Sequence, residues 1–171
     1  LAAMRKYAET CVRMQHANEG GFGAPIITMA LVQGDALGGG FEHALSFDIL
    51  FAERSARLGL PEIIFNLFPG MGAYSFLVRR VGRKIAENFI LEGKIHTAEE
   101  LHELGIVDVL VEDGQGEAAI VDYCQRNQQR FAAERAVYLA RRVSSPVELE
   151  ELLRITNIWA ETAMTLTDAD V

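Results

Sequence analysis

The chain of 171 residues contains little proline, only four, and no low-complexity tract, which excludes a largely disordered protein. Its two cysteines, Cys11 and Cys124, have no C-x-x-C or Cys/His spacing, so we expect reduced, partly buried thiols rather than a zinc or redox site. No uninterrupted apolar run reaches the roughly 18 residues that a membrane span needs. A secretory signal is also missing from the first residues, so we expect a cytoplasmic protein.

Positive charge is scarce as well, since 16 basic residues face 24 acidic ones and the formal net charge is −8. Nucleic-acid-binding proteins usually carry a basic face, because neutralising phosphates supplies most of their affinity. We therefore expect no nucleic-acid partner. The one basic cluster, Arg79, Arg80, Arg83 and Lys84, is either a solvated helix face, which is the commoner use of such a run, or a site for a phosphorylated ligand arm.

Hydrophobic residues make up half of the chain, and their spacing alternates between that of helices and that of strands. Strands are predicted at residues 25–32, 48–52, 57–60 and 107–111. Helices are predicted at residues 1–18, 41–47 and 117–131, and after two capping boxes at 97–100 and 145–148. This order predicts an α/β core over residues 1–133 with mostly parallel strands.

A C-terminal helical region follows the core, over residues 134–171, and is expected to serve packing or oligomerisation. Its last helix carries one mainly apolar stripe, formed by Leu149, Leu152, Leu153, Thr156, Trp159, Ala160 and Ala163. Such a stripe must pack on something. Both the core of the chain itself and a subunit interface would satisfy it.

The most informative segment is the glycine triplet at residues 38–40, between a predicted strand and a predicted helix. Successive backbone N–H groups at the positive end of a helix suit either a phosphate or the oxyanion of a polarised carbonyl. A P-loop would continue with Gly-Lys-Ser/Thr, whereas Phe41 and Glu42 follow here. A glutamate would repel phosphate, but it suits an acid or base acting beside a thioester carbonyl.

A second carboxylate, Glu62, stands in apolar sequence after Gly59 and Pro61. Such surroundings remove water and make the neutral form of a carboxyl easier to reach. Two carboxylates in one dry pocket separate their proton affinities, which provides one donor and one acceptor. The alternative is that Glu42 and Glu62 are surface residues beside structural turns, and residue types and spacing alone leave both interpretations open.

Four segments together resemble the crotonase (enoyl-CoA hydratase/isomerase) superfamily: residues 34–42 (GDALGGGFE), 47–49 (FDI), 58–62 (LGLPE) and 68–72 (FPGMG). Glu42 and Glu62 are 20 positions apart, as in hydratases of this superfamily. The resemblance covers the chain from about residue 25 onward. It implies a crotonase-like (ClpP/crotonase) fold with repeated β-β-α units and C-terminal helices. It also implies that the N-terminal part of that fold, with one of its two oxyanion donors, is missing.

The same resemblance implies roles for individual residues. Two would be catalytic, Glu42 and Glu62, and five would bind the oxyanion or the substrate: Gly39, Gly40, Gly70, Met71 and Gly72. Glu62 would remove the α-proton of the substrate, and Glu42 would protonate the departing 3-hydroxyl group or position the water that replaces it. The substrate would be a thioester of acyl carrier protein or coenzyme A, and no metal or other cofactor is expected.

A closer resemblance, to bacterial diffusible signal factor (DSF) synthases, rests on residues 60–76, 114–116 and 154–159. It implies dehydration of a 3-hydroxyacyl thioester to a 2-enoyl thioester and then thioester hydrolysis, which releases an unsaturated fatty acid for quorum sensing. Acyl carrier protein, a sensor kinase and further copies of the chain, in a trimer or hexamer, are the implied partners. The alternatives are an ordinary enoyl-CoA hydratase or isomerase and a non-catalytic crotonase-fold binding protein.

Several other residues receive structural interpretations. Bulky residues such as Tyr74 and Phe76 would fit a medium-length acyl chain, although they could equally be core packing. His43 points about 100° away from Glu42 on a helix and is interpreted as structural. Asp48, at the end of the same predicted helix, is interpreted as a turn residue.

Overall fold

The computed structural model describes residues 2–167 and residue 170. Within these residues there are eight α-helices: α1 (Ala2–Glu19), α2 (Gly39–Leu45), α3 (Ala73–Val81), α4 (Arg83–Glu92), α5 (Ala98–Glu103), α6 (Gly116–Asn127), α7 (Phe131–Ser144) and α8 (Leu149–Ala163). The same part of the chain holds six strands: β1 (Met29–Val32), β2 (Ala36–Leu37), β3 (Ile49–Glu53), β4 (Arg57–Gly59), β5 (Ile95–Thr97) and β6 (Val109–Val111). Short 3₁₀ turns lie at Gly21–Gly23, Pro61–Phe65 and Gln128–Arg130.

The strands form two three-stranded sheets. The first has the order β1-β3-β6 and is parallel throughout, with Met29 opposite Ile49 and Phe51 opposite Val109. The second has the order β2-β4-β5, with β2 parallel and β5 antiparallel to β4. The chain twice places one strand in each sheet and then forms a helix, as β1-β2-α2 and as β3-β4-α3. This is the predicted α/β fold with repeated β-β-α units.

Strand β3 lies in the middle of the first sheet, and all five of its residues are buried. Its side chains alternate between two apolar clusters because successive residues of a strand point to opposite faces. Leu50 and Ala52 pack in the main core, whereas Ile49 and Phe51 pack in a second cluster, where the ring of Phe51 meets Tyr123 of α6 edge-on. Both faces of the sheet are therefore covered by other parts of the chain.

The capping box predicted at residues 97–100 is confirmed, since the Thr97 hydroxyl accepts from the Glu100 N–H and the Glu100 carboxylate accepts from the Thr97 N–H. The one predicted at residues 145–148 is wrong. Ser145 ends α7 instead, and α8 begins at Leu149 without a side-chain cap. The predicted strand at residues 25–32 is confirmed only from Met29 onward. Strand β2, with two residues, is too short for periodicity to reveal.

The apolar stripe of α8 packs against α1 and the core of the same chain. Its central residues Leu152, Thr156 and Ala160 are buried. The core use of this stripe, one of the two alternatives, is therefore confirmed. Helix α7 differs, because none of its residues is buried and Val137 and Val143 are largely exposed. Oligomerisation through the C-terminal region stays a prediction.

The basic cluster is divided between two environments. Arg79 binds both carboxylate oxygens of Glu151, at 2.9 and 2.7 Å, and Arg80 binds Asp108 at 2.7 Å. These two arginines tie α3 to other elements, so the interpretation of the cluster as a solvated face is wrong for them. Arg83 and Lys84 are exposed, as that interpretation predicts. Cys11 is partly buried, as expected, whereas the expectation of partial burial is wrong for Cys124, which is exposed.

Asp48 is a buried anchor rather than the simple turn residue that the sequence suggests. One carboxylate oxygen accepts from the N–H of Thr28 at 2.9 Å and from its hydroxyl at 3.2 Å. The other accepts from Arg141 at 2.6 Å and from Arg142 at 2.9 Å. The carboxylate is completely enclosed, so it gathers β1, β3 and α7 around one charge. Sequence reasoning missed this because both arginines lie more than 90 residues away.

The Asp48 cluster leads to a prediction about stability. Asp48→Ala should lower the free energy of unfolding by about 3–5 kcal/mol, because the mostly buried Arg142 loses its main counter-charge. Urea unfolding followed by circular dichroism measures this change. Asp122→Ala is the matched control: it removes an exposed ion pair with Arg126, and we expect a change below about 1 kcal/mol. Equal effects of the two substitutions would contradict the prediction.

Candidate active site

The site is built around the start of α2. Gly38 adopts φ 54° and ψ −127°, a conformation that side chains other than that of glycine rarely reach, and its N–H donates to the carbonyl of Gly59 at 2.9 Å. This bond fixes the chain between β2 and α2. One turn later, Glu42 points into the interior, where it is 1% exposed. The glycine turn thus places a carboxyl group in the protein core.

Two backbone N–H groups hold the Glu42 carboxylate. Its Oε2 accepts from Met71 at 2.8 Å and from Ala73 at 3.0 Å. Both donors belong to the turn at residues 70–73, where Gly72 has φ 118° and precedes the first residue of α3. The positive end of α3 therefore faces the carboxylate. This turn was not assigned to Glu42 from the sequence, although the cluster of two glycines around Met71 signals an unusual backbone.

Burial nevertheless dominates the protonation of Glu42. Loss of water raises the pKa of this carboxyl to about 7, although the hydrogen bonds from Ala73 and Met71 act to lower it. The negative charge of Glu62 raises it further. The two carboxylates are thus close enough to interact electrostatically, and Glu42 carries a proton in a large fraction of molecules at neutral pH.

Glu62 lies in the 3₁₀ turn Pro61–Phe65 that follows β4, with Pro61 at its first position. Its carboxylate lies against the glycine turn, since a Cβ added to Gly38 would come within 2.8 Å of the Glu62 Oε1. Partial burial raises the pKa of Glu62 too, and a hydrogen bond with its own backbone opposes that rise. The structure therefore brings the two predicted catalytic glutamates to the same glycine turn.

Each of these glutamates keeps one buried oxygen without a hydrogen-bond partner among residues 2–167 and 170: Oε1 of Glu42 and Oε2 of Glu62. Buried polar atoms in folded proteins are almost always paired, because an unpaired one costs free energy. Two unpaired carboxylate oxygens, on side chains that interact electrostatically, therefore indicate a place where a polar ligand atom can bind.

The predicted oxyanion glycines form the first turn of α2. The N–H of Gly39, the first residue of the helix, has no acceptor inside the helix, because the carbonyl four residues earlier lies outside it. The methyl group of Met71 would be only 3.2 Å from a Cβ at Gly39. Gly40 is exposed, with open space around its Cα atom. The Gly39 N–H and the Glu62 carboxylate, which lies against Gly38, thus belong to neighbouring positions of the glycine turn.

Gly70, Met71 and Gly72 form the turn that holds Glu42. The carbonyl of Gly70 accepts from the Thr156 hydroxyl at 2.9 Å, and the N–H of Met71 donates to Glu42. A side chain at Gly72 would collide with Phe76. These contacts give the three residues a role in positioning Glu42, which sequence reasoning did not assign to them. Substrate contact by these residues stays a prediction.

The side chains around the turn divide into core and surface. Phe76 is part of the main core, and the Tyr74 hydroxyl binds Glu87, so the core-packing alternative describes both residues. By contrast, Ile64 and Phe65, two and three positions after Glu62, are 67% and 51% exposed. Sequence reasoning treated these two residues only as apolar surroundings of Glu62. His43 stacks edge-on against Phe47, in line with its structural interpretation.

Residues 3–160 match the family model described as Enoyl-CoA hydratase/isomerase, so the chain belongs to this family. It is 37% identical over 130 residues to the 2,3-dehydroadipyl-CoA hydratase of Escherichia coli (strain K12), covering 75% of this chain and 50% of that protein. It is 39% identical over 99 residues to the fatty acid oxidation complex subunit alpha of Pseudomonas syringae pv. tomato, covering 58% of this chain. The chain spans only 14% of that second relative.

Solved structures show the same fold. An enoyl-CoA hydratase from Mycobacterium avium subsp. paratuberculosis K-10 superposes with a TM-score of 0.82 at 23% identity, over 96% of this chain and 66% of that chain. An enoyl-CoA hydratase from Bacillus anthracis superposes with a TM-score of 0.72 at 27% identity, over 98% of this chain and 64% of that chain. The predicted crotonase-like fold is confirmed.

Two further observations concern the described residues as a whole. No helix among them combines the length and the apolar character that a bilayer crossing requires. Nor do three or more His, Cys, Asp or Glu side chains come together there as potential metal ligands.

The raised pKa of Glu42 predicts a pH dependence of stability. A carboxyl whose pKa rises from 4.5 to about 7 on folding binds its proton more tightly in the folded protein. The stability that this tighter proton binding adds is fully present below about pH 4.5. It is lost as the pH rises to about 7, which lowers the free energy of unfolding by up to about 3 kcal/mol. Glu42→Gln should therefore become more stable relative to the wild type between pH 5 and pH 7.5, as measured by urea unfolding.

The exposed Glu103 provides the control, since Glu103→Gln changes a carboxylate on the surface of α5. This variant should follow the pH dependence of the wild type. If Glu42→Gln also followed it, Glu42 would not titrate near neutrality.

Proposed function

We propose that this chain carries the acid/base centre of an enzyme that adds water to a 2-enoyl thioester or removes it from a 3-hydroxyacyl thioester. One observation carries the proposal: Glu42 and Glu62 lie at the same glycine turn, and each keeps a buried carboxylate oxygen that is unpaired within the described part of the chain. Membership of the enoyl-CoA hydratase/isomerase family supports it. So does the name of the Escherichia coli relative, which is that of a hydratase acting on a CoA thioester.

The two glutamates suit different steps of this reaction. With a pKa of about 7, Glu42 holds a proton that it can give to the departing 3-hydroxyl group, which leaves as water. Glu62 is less buried and removes the proton from the α-carbon, so that the double bond forms as the C–O bond breaks. In the hydration direction the same two groups act in reverse. Their unequal environments provide the donor and the acceptor that this chemistry needs.

The thioester oxygen requires a positive partner while the α-proton leaves. The N–H of Gly39 at the start of α2 is suited to that role, because it has no acceptor in the helix and the helix dipole is positive there. The glycine at position 38 lets the carboxylate of Glu62 approach this turn closely. Acid, base and oxyanion donor would then act on three neighbouring atoms of one substrate.

Exposed apolar residues beside Glu62 support an acyl chain as the substrate. Ile64 and Phe65 follow the base by two and three positions in the sequence and are largely exposed. Gly93, at the end of α4, lies against Ile63 and Ile64, so the end of α4 packs against this part of the 3₁₀ turn. An acyl chain that extends from the glutamates along Ile64 and Phe65 would bury their exposed apolar surface, and burial of apolar surface favours binding.

A more specific proposal is the DSF-type reaction, in which the 2-enoyl thioester is also hydrolysed and an unsaturated fatty acid is released. It is supported by the resemblance of residues 60–76 and 154–159 to DSF synthases. These two segments meet in the fold, where Gly70 contacts Thr156 and Trp159. This proposal carries with it an acyl carrier protein as donor, a sensor kinase as regulator, a homo-oligomeric state and a cytoplasmic location.

The acid/base assignment is tested by two isosteric substitutions. Glu42→Gln and Glu62→Gln should each reduce the rate of dehydration of a 3-hydroxyacyl thioester by at least about 10²-fold, because each removes one proton-transfer group. Absorbance of the conjugated 2-enoyl thioester measures the rate, and circular dichroism verifies the fold. Glu103→Gln, on the exposed face of α5, should keep the wild-type rate. Near-normal turnover in either site variant would remove the assignment.

The choice between the two reactions is tested with two carriers. The same 3-hydroxyacyl group is supplied on coenzyme A and on acyl carrier protein, and both the 2-enoyl thioester and free fatty acid are quantified. A DSF-type enzyme should prefer the carrier protein and release free acid, and Glu62→Gln should abolish that release. Turnover of the CoA thioester without free acid would identify an ordinary hydratase.

A further inference from the structure

Helix α8 contacts the turn that holds Glu42 at two points. The hydroxyl of Thr156 donates to the carbonyl of Gly70 at 2.9 Å, and both groups are buried. One helical turn further on, Trp159 covers the Cα atom of Gly70 so closely that an added Cβ would lie 2.2 Å from the Trp159 Cβ and Cγ atoms. Gly70 is thus held on two sides by a helix more than 80 residues away in the sequence.

The residues that follow Gly70 in the turn bind the carboxylate of Glu42 directly. Met71 follows Gly70 and donates its N–H to the Glu42 Oε2, and Ala73 donates to the same atom. Gln15 of α1 also lies against Gly72, and its side chain is uncharged. The negative charge of Glu62 raises the pKa of Glu42. Any shift of Gly70 would therefore change the two hydrogen bonds that orient Glu42.

We propose that Thr156 and Trp159 are positioning residues for the acid Glu42, acting through the turn at residues 70–73. This inference rests on the proposed function. Thr156 fixes the direction of the Gly70 carbonyl, and with it the Met71 N–H, because the two groups share one planar peptide unit. Trp159 prevents the turn from moving towards α8. Together they keep both donors on one oxygen of Glu42 and leave the other oxygen free for the substrate.

A role limited to anchoring α8 is disfavoured by a second attachment. Glu151, in the first turn of α8, accepts from the Ser75 hydroxyl at 2.5 Å and binds Arg79 through both oxygens. Leu152 adds a fully buried side chain to the main core. The helix is therefore held on α3 and the core without the Thr156 hydroxyl, and the bond to Gly70 acts on the turn.

The first experiment compares three variants of the full chain. Thr156→Val keeps the shape of the side chain but removes the donor, and it should lower kcat about tenfold while KM changes little, because the acid is displaced and substrate binding is not. Its kcat–pH profile should also shift to higher pH, because weaker hydrogen bonds to the carboxylate raise the pKa of Glu42. Thr156→Ser keeps a hydroxyl and should restore kcat and the pH profile.

Thr162→Val is the matched control on the same helix. The Thr162 hydroxyl binds the carbonyl of Ile158 within α8, so its removal leaves the turn untouched. This variant should keep the wild-type kcat and pH profile. If Thr156→Val did the same while losing only thermal stability, the role of Thr156 would be purely structural and the inference would be overturned.

The second experiment uses the wild-type protein and needs no activity. Trp159 is the one tryptophan of the chain and lies against Gly70, so its emission reports on the surroundings of this contact. Titration of Glu42 should change that emission with a midpoint near pH 7, and Glu42→Gln should abolish the change. Emission that changes identically in wild type and Glu42→Gln would show that the two residues are not coupled. That would overturn the inference even if both glutamates prove catalytic.

The two proposals can therefore fail separately. If Glu42→Gln keeps full activity, the proposed function fails, whereas the fluorescence titration still measures the coupling between Glu42 and Trp159. If Thr156→Val fails to fold, the fluorescence titration still decides whether the turn couples Trp159 to Glu42, and without that coupling the inference is overturned.

Discussion

The balance between burial and hydrogen bonding at the carboxyl group of Glu42 determines most features of this site. Burial alone would make the ionised form too costly, and two N–H groups from Met71 and Ala73 keep it accessible. Neither influence cancels the other. As a result, Glu42 releases its proton near neutral pH, in an interior where most buried side chains are apolar.

The fold provides that balance by bringing distant parts of the chain together. The glycine turn after β2 places Glu42, and the turn before α3 supplies the two N–H donors of its carboxylate. Helix α8 contacts the turn before α3 through the hydrogen bond from Thr156 to Gly70. The second sheet carries the other carboxylate, because Glu62 follows β4 beside β2. Each unit contributes a backbone feature rather than a reactive side chain alone, so the chemistry depends on how the two β-β-α units pack.

The sequence predicted the parts of the site that are local and missed those that depend on contacts over long distances. The glycine triplet, both glutamates and the crotonase-like fold were recognisable from short segments, and the fold is confirmed. The pairing of Asp48 with Arg141 and the support of Gly70 by Thr156 were not, because no periodicity links residues so far apart. The false capping box at Ser145 shows the reverse problem, since a local pattern was present and the chain did not use it.

The close approach of Glu62 to Gly38 constrains how this site can vary between related proteins. Even an alanine at position 38 would strain a backbone at φ 54° and would also place a methyl group 2.8 Å from the Glu62 Oε1. The carboxylate would have to move away from position 38, and the repulsion that it exerts on Glu42 would change with the new distance. A single added carbon atom would thereby alter the proton affinity of Glu42 without touching it.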